Sequence, residues 1–182
     1  MPTTIDAQLC GEKIRWVASS MHDSVEFCTR ARAAADDLGP DAIMTLATLF
    51  HSEHSPPDDL ADQFPGLGDW IAARQFAIFE MFYCFRDAAL PVLRHVACGE
   101  YDWTQGNAIE VLCRLASEGV ERDQIIAEVR RELPNLRYEA LIYAFRPLLK
   151  QAENDLALAA VLLEFQDMDE YQQTVEELKD SQ

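Results

Sequence analysis

A chain of 182 residues, of which 49% are hydrophobic, is long enough to bury the core of one domain or of two small ones. Its net charge of −17 disfavours binding to nucleic acid or to an anionic membrane, because a phosphate surface requires clustered lysine and arginine. The sequence has no apolar run of about 18 residues and no basic segment leading into an apolar one near its start. We therefore expect neither a membrane span nor a secretory signal.

The cysteines indicate a reducing compartment. They are odd in number, form no CxxC pair and fall within apolar helical patterns, so we expect reduced core residues of a cytoplasmic protein rather than disulfides or metal ligands. The five are Cys10, Cys28, Cys84, Cys98 and Cys113.

The N-terminal half is expected to be helical over residues 12–98. Thr3 or Thr4 is placed to cap a short first helix, and Gly11 to break it. Over residues 12–38 apolar and small residues recur at intervals of three and four, which predicts one long amphipathic helix. Asp41 is then expected to cap a second helix that runs to about residue 50.

Residues 51–68 contain two proline-rich turns and predict a loop with a single helical turn. The next stretch, residues 70–86, is apolar on nearly every side, and Asp69 is placed to cap it. A helix of this kind must be surrounded by other helices, so we expect it to be the central buried helix of the fold. Pro91 cannot donate a backbone hydrogen bond and predicts a kink or a new helix start, and Gly99 predicts a stop.

The C-terminal half contains an internal match between residues 105–136 and 137–168. Apolar residues, alanines and an arginine coincide at an offset of 32 positions, and each copy predicts two helices. Asp123 and Asp155 are expected to cap the second helix of their copies. The predicted helices are 108–118, 123–133, 138–151 and 155–165, followed by an amphipathic capping helix over 169–180.

This pattern resembles the HEAT-repeat family of helical hairpins over roughly residues 87–168. The resemblance implies a curved stack used as a binding surface, not an active site. We therefore expect an all-α fold: one compact domain spanning residues 1–182, with about seven to nine helices. Its C-terminal half would be a HEAT-like stack of antiparallel hairpins beside the central helix.

Charge is distributed unevenly along the chain. Residues 34–72 and 152–177 contain no lysine or arginine, whereas arginines gather between residues 114 and 146. Like charges so grouped destabilise the compact state, and a basic partner would relieve the repulsion. The alternative interpretation is an acidic surface that serves solubility.

No catalytic motif is present, and we expect no enzyme activity and no cofactor. The strongest case for a metal site is His51 and His54, three residues apart and followed by Asp58, Asp59 and Asp62. The aromatic side chains of residues 76–85 offer a second alternative, a ligand pocket, although this spacing is more typical of core packing. A structural scaffold subunit is the third.

The first hypothesis is therefore a non-enzymatic protein that binds a basic partner protein. Its most concrete version is an acidic immunity protein or antitoxin that masks the active-site groove of a toxic enzyme, for example a nuclease, by analogy of size and charge. The predicted contacts are Asp58, Asp59, Asp62, Glu153, Asp155, Glu164, Asp167, Asp169 and Glu170.

Overall fold

The computed structural model describes residues 6–99 and 102–180, and these residues form helices, turns and loops without a strand. The fold is therefore all-α, as the sequence predicts. The chain divides into two compact units, residues 1–92 and 93–182. The prediction of one shared domain stays a prediction.

The first unit contains four helices before the boundary helix. They are α1 (Ala7–Ala18), α2 (Ser24–Leu38), α3 (Ile43–Thr48) and α4 (Asp69–Phe85). Short 3-10 turns lie at Pro40–Ala42, Asp58–Leu60 and Arg86–Ala89. The helical turn expected within the loop of residues 51–68 is thus present at Asp58–Leu60.

The prediction of one long helix over residues 12–38 is wrong, because this stretch forms the separate helices α1 and α2 with a turn between them. Asp23 terminates the break: its carboxylate accepts hydrogen bonds from the backbone N–H groups of Val25 and Glu26, both at 3.1 Å. This is an N-cap, which satisfies donors that a continuous helix would have paired internally. Gly11, the expected breaker, lies inside α1.

Three caps predicted for the first unit differ from the structure. Asp69 is the first residue of α4, after Gly68, and its carboxylate accepts a hydrogen bond from the Gly66 backbone N–H at 2.7 Å instead of capping the helix. Thr3 and Thr4 fall outside the described residues, and α1 is capped by Asp6, whose carboxylate accepts from the backbone of Gln8 at 2.9 Å. Asp41 lies within the 3-10 turn instead of capping, and α3 begins after Ala42 without a side-chain cap.

The central helix of the first unit is α4, which packs against α1, α2 and α3. Its buried residues include the apolar Trp70, Phe79 and Phe82 and also three polar ones, Arg74, Gln75 and Glu80. The Gln75 amide donates to the Phe50 carbonyl at 3.2 Å. The prediction of a buried central helix is therefore confirmed, with polar groups inside it.

The second unit begins within α5 (Leu90–Ala97), whose second residue is Pro91, and α5 ends before Gly99 as expected. The five following helices lie close to the predicted bounds. They are α6 (Thr104–Ser117), α7 (Arg122–Glu132), α8 (Tyr138–Ala152), α9 (Leu156–Leu162) and α10 (Asp169–Asp180). Short 3-10 turns extend α7 at Leu133–Asn135 and α9 at Leu163–Phe165.

Burial in the second unit repeats at the offset seen in the sequence. Residues 32 positions apart are buried in both copies: Ala108 and Ala140, Ile109 and Leu141, Ile126 and Leu158, Val129 and Val161, Leu133 and Phe165. Helix α6 packs against α7, α8 and α9, and α10 packs against α8. The membership of the HEAT family stays a prediction.

Gly106 permits the closest approach between the first helices of the two copies. A Cβ atom at this position would lie 2.6 Å from the carbonyl oxygen of Ala140 and 2.6 Å from Cβ of Tyr143. Only a residue without a side chain fits there, so α6 and α8 are in backbone contact at this point.

The two predicted caps of the second unit differ in outcome. Asp155 caps α9 as expected. Asp123 is not a cap, because α7 begins one residue earlier, after Glu121, which adopts a left-handed conformation with φ of 39°. Asp123 instead lies in the first turn of α7, where its negative charge interacts favourably with the positive end of the helix dipole.

Candidate functional site

The three predicted contacts of the first unit lie on and beside the 3-10 turn at residues 58–60, and all three are exposed. Arg15 Nη2 donates to Asp59 Oδ1 at 2.5 Å, so one of the three carboxylates has a cation partner. No cation in the described chain pairs with Asp58 or Asp62. These two carboxylates are available to an external partner.

In the second unit, Asp155 is the N-cap of α9. Its Oδ1 accepts hydrogen bonds from the backbone N–H groups of Ala157 at 2.9 Å and Leu158 at 3.0 Å. A carboxylate that satisfies the first turn of a helix in this way contributes to folding. Its remaining oxygen and its charge still face solvent.

Two arginines of α7 reach the acidic segment that follows α9. Arg130 binds Asp167 through both of its terminal nitrogens, at 3.0 and 2.9 Å, and its hydrogen bonds lower the pKa of that carboxyl. Arg122 Nη2 lies 3.9 Å from Glu164 and 3.3 Å from the Ala160 carbonyl. Glu164 and Asp167 therefore have arginine counter-charges within the second unit.

The remaining predicted contacts have different surroundings. Asp169 and Glu170 form the first turn of α10, where negative charge is favourable. Glu153 lines a groove with Arg146, Lys150 and Lys179. None of these three carboxylates has an ion-pair partner among residues 6–99 and 102–180. Like Asp58 and Asp62, these three predicted contact residues have no cation partner in the described ranges.

The nine predicted residues divide between the units: Asp58, Asp59 and Asp62 belong to the first, and the other six to the second. A surface shared by both groups stays a prediction. Within the second unit, the residues from 153 to 170 follow one another through α9 and into α10. The six carboxylates of this unit are therefore carried by one short stretch of chain.

The sequence did not reveal an apolar surface between these acids. Leu156 at the start of α9 is 90% exposed, Leu163 in the 3-10 turn that extends α9 is 60% exposed, and Ala160 between them is also exposed. The opposite face buries Leu158, Val161 and Leu162 in the second unit. We call Leu156, Ala160 and Leu163 the α9 stripe. Because α9 is apolar on both faces, its sequence alone did not tell which face is covered.

The histidine alternative gains no support from the geometry. Both His51 and His54 are exposed, and the carboxylate between them, Glu53, turns towards Arg74 and forms an ion pair with it. No group of three or more His, Cys, Asp or Glu residues in the described ranges is arranged to hold a metal ion.

The aromatic alternative corresponds to core packing. Phe79 stacks on Phe50 with ring centroids 5.0 Å apart, and Phe82 contacts both rings edge-on at 6.0 Å. Phe79 and Phe82 are almost completely buried. The rings of Phe79 and Phe82 therefore belong to the core of the first unit, whereas Phe76, Tyr83 and Phe85 are half-buried.

The cysteines differ from expectation in part. Cys10 and Cys113 are buried, and burial raises the pKa of the Cys113 thiol to about 12. Cys28 and Cys98 are exposed, so the prediction that all five are core residues is wrong. Burial of part of its surface nevertheless raises the pKa of Cys98.

Comparisons with known proteins found no match: no protein-family model fits the chain, no curated protein is significantly similar, and no solved structure matches the fold. Among the described helices, none has the length and hydrophobicity that crossing a bilayer requires.

Proposed function

We propose that this chain is a non-enzymatic binding protein whose second unit presents the α9 stripe to a partner protein with a basic surface. The observation that carries the proposal is the exposure of two large apolar side chains, Leu156 at the start of α9 and Leu163 in the 3-10 turn that extends it, in a stretch of chain that carboxylates flank. Covering one such leucine is worth about 1.5–3 kcal/mol. An apolar centre within a charged rim is the usual anatomy of a protein interface.

The charge of the rim favours a basic partner. Residues 151–178 contain eight carboxylates, and the arginines shown to reach them are Arg122 and Arg130. The stretch of chain that carries the stripe therefore keeps a negative excess after pairing with these two arginines. Complementary charge accelerates association and excludes acidic competitors, while the leucines supply affinity.

The most concrete form of the proposal is an immunity protein or antitoxin in the cytoplasm. Such a protein would bind a toxic enzyme whose substrate groove is basic, for example a nuclease, and block the groove. The support is the charge of −17, the all-α fold and the rimmed apolar stripe. It is an argument from physical class, since a binding surface and not a motif carries it.

Affinity capture from the native host tests the proposal with matched leucine variants. Wild type and Leu67→Asp should capture the same basic protein, because Leu67 is a fully exposed leucine of the first unit. Leu156→Asp combined with Leu163→Asp should lose it, since a charge replaces each apolar contact. Stoichiometric addition of wild type to the captured protein should suppress its enzymatic activity.

Salt and charge reversal test the electrostatic part. Association of the pair should slow as salt rises, because exposed charges are screened within about 10 Å at 0.1 M salt. Asp169→Lys with Glu170→Lys should slow association further, whereas Asp36→Lys, in the first unit, should not. Capture that is indifferent to the α9 substitutions and to salt would refute the proposal.

A further inference from the structure

A groove in the second unit is lined by three cationic side chains, although the molecule as a whole is acidic. It lies between the last turns of α8 and the C-terminal half of α10 and has a volume of 590 Å³. Its charged lining consists of Arg146, Lys150 and Lys179, with Glu153 as the opposing charge. The lining therefore carries a net charge of about +2, while the whole chain carries −17.

These cations are exceptional because no ion pair or hydrogen bond among the described residues engages them. All fifteen lysines and arginines lie in the described ranges, and internal interactions engage eleven of them. Within those ranges, the four without such a partner are Arg32, Arg146, Lys150 and Lys179. Three of these four line the same groove although carboxylates outnumber cations by 32 to 15.

Helix geometry holds the three charges in place. Arg146 and Lys150 are four residues apart on α8, so they share one face and repel each other. Lys179 faces them from α10. An anion between the three would replace this repulsion with charge-assisted hydrogen bonds, which are the stronger class of hydrogen bond.

The rest of the lining is apolar. Leu149 and Val175 are half-buried, and Leu178 is 9% exposed, so the groove has a hydrocarbon floor. The aliphatic stems of the lysines extend this surface. A groove of this volume is in the range of small-molecule sites, which combine apolar walls with a few polar groups.

We propose that this groove binds a small amphipathic anion, namely an aliphatic carboxylate. Its hydrocarbon chain would lie on Leu149, Val175 and Leu178, and its carboxylate between Arg146, Lys150 and Lys179. A long polyanion such as nucleic acid fits less well, because its charges would continue beyond the groove onto carboxylate-rich surface. The site is separate from the α9 stripe and does not depend on the function proposed for it.

Titration calorimetry with decanoate, below its micelle concentration, tests the proposal on the full chain. Decanoate should bind with one-to-one stoichiometry. Decanol, which has the same chain without the charge, and acetate, which has the charge without the chain, should each bind at least about tenfold more weakly if both parts of the groove contribute.

Substitutions then locate the site. Arg146→Gln with Lys150→Gln should weaken decanoate binding about five- to tenfold, whereas Arg32→Gln, the fourth unpaired cation, should leave it unchanged. Val175→Ser should weaken decanoate but not acetate. All replaced groups are exposed or half-buried, and circular dichroism confirms that each variant is folded.

Two outcomes would overturn the proposal. Equal affinity for decanol and decanoate would show that the cations take no part. Unchanged decanoate affinity in the Arg146 and Lys150 double variant would place any binding elsewhere, for example on the α9 stripe.

Discussion

Arg130 donates two hydrogen bonds to the carboxylate of Asp167, from Nη1 to Oδ1 at 3.0 Å and from Nη2 to Oδ2 at 2.9 Å. The same guanidinium donates to the backbone carbonyl of Glu164, so α7 is joined to the segment that follows α9. Asp167 belongs to a stretch that contains no lysine or arginine, but its carboxylate takes part in the contacts that hold the second unit together.

Asp167→Asn should lower the melting temperature more than Glu176→Gln, because Glu176 is exposed and no cation of the described chain pairs with it. The difference between the two variants should shrink in about 1 M salt, where screening acts within about 3 Å. Thermal melts followed by circular dichroism at low and high salt measure it. Equal melting temperatures in low salt would show that the ion pair does not contribute.

Glu128 should make stability depend on pH through Arg94, which donates to it at 2.7 Å. Burial raises the pKa of Glu128, but the hydrogen bonds from Arg94 and Gln124 outweigh burial and the net pKa is lowered. A lowered folded-state pKa stabilises the protein above the unfolded-state value of about 4.3, and this contribution is lost as pH falls through the folded-state value.

Glu128→Gln is therefore expected to cost about 1 kcal/mol at pH 7. The cost should be constant between about pH 6 and pH 8 and should shrink below about pH 4. Urea unfolding of wild type and variant across this range measures it. A cost that persists unchanged at low pH would mean that packing, not charge, is responsible.

Two helical glycines should respond to alanine in opposite directions. Gly106→Ala should destabilise the protein by about 1–3 kcal/mol, because the new methyl group would overlap the α8 backbone. Gly11→Ala should stabilise it by about 0.5–1 kcal/mol, since nothing lies within 4 Å of the added Cβ and alanine favours a helix.

Urea midpoints of the two glycine variants provide the measurement, with each compared to wild type. The pair is its own control, because the chemical change is identical. A stabilising Gly106→Ala substitution would refute the close contact between α6 and α8.

Arg74 should be more important to stability than its charge suggests. It is fully buried, it pairs with Glu53, and it donates to Ser52 Oγ at 2.7 Å, so it anchors the loop after α3 to α4. Burial lowers its pKa, and Glu53 partly offsets that effect. Its Nε has no hydrogen-bond partner in the described structure, which is a cost of this arrangement.

Arg74→Ala should cost about 2–4 kcal/mol, and Arg74→Met, which retains most of the volume, should cost less. Arg32→Ala is the control, because Arg32 is exposed and should cost at most about 0.5 kcal/mol. Chemical denaturation measures all three variants. If Arg74→Ala is as stable as Arg32→Ala, the buried arginine is not an anchor.

The fold was predictable where local signals agreed. The helices of the second unit lie near their predicted bounds, because their turns are marked by capping and polar residues between regular apolar patterns. The break at residues 19–23 was missed, since the apolar spacing continues across it. The signal that would have found it is Asp23 followed three residues later by Glu26, a pattern typical of a helix start.

The candidate site was less predictable. The sequence identified the acidic stretches, but it did not distinguish carboxylates with a partner from those without one. Arg122 and Arg130 reach acids more than thirty positions away. The exposed α9 stripe and the groove of Arg146, Lys150 and Lys179 also depend on which helices are neighbours.

The amino-acid sequence by itself determined that the chain is helical, where most helices begin and end, and how much charge it carries. These properties depend on residues within one or two turns of each other. The tertiary structure decided which carboxylates are neutralised, which apolar face of α9 stays uncovered, and where unpaired cations meet. Those outcomes depend on contacts between residues far apart in the chain, and no local pattern specifies them.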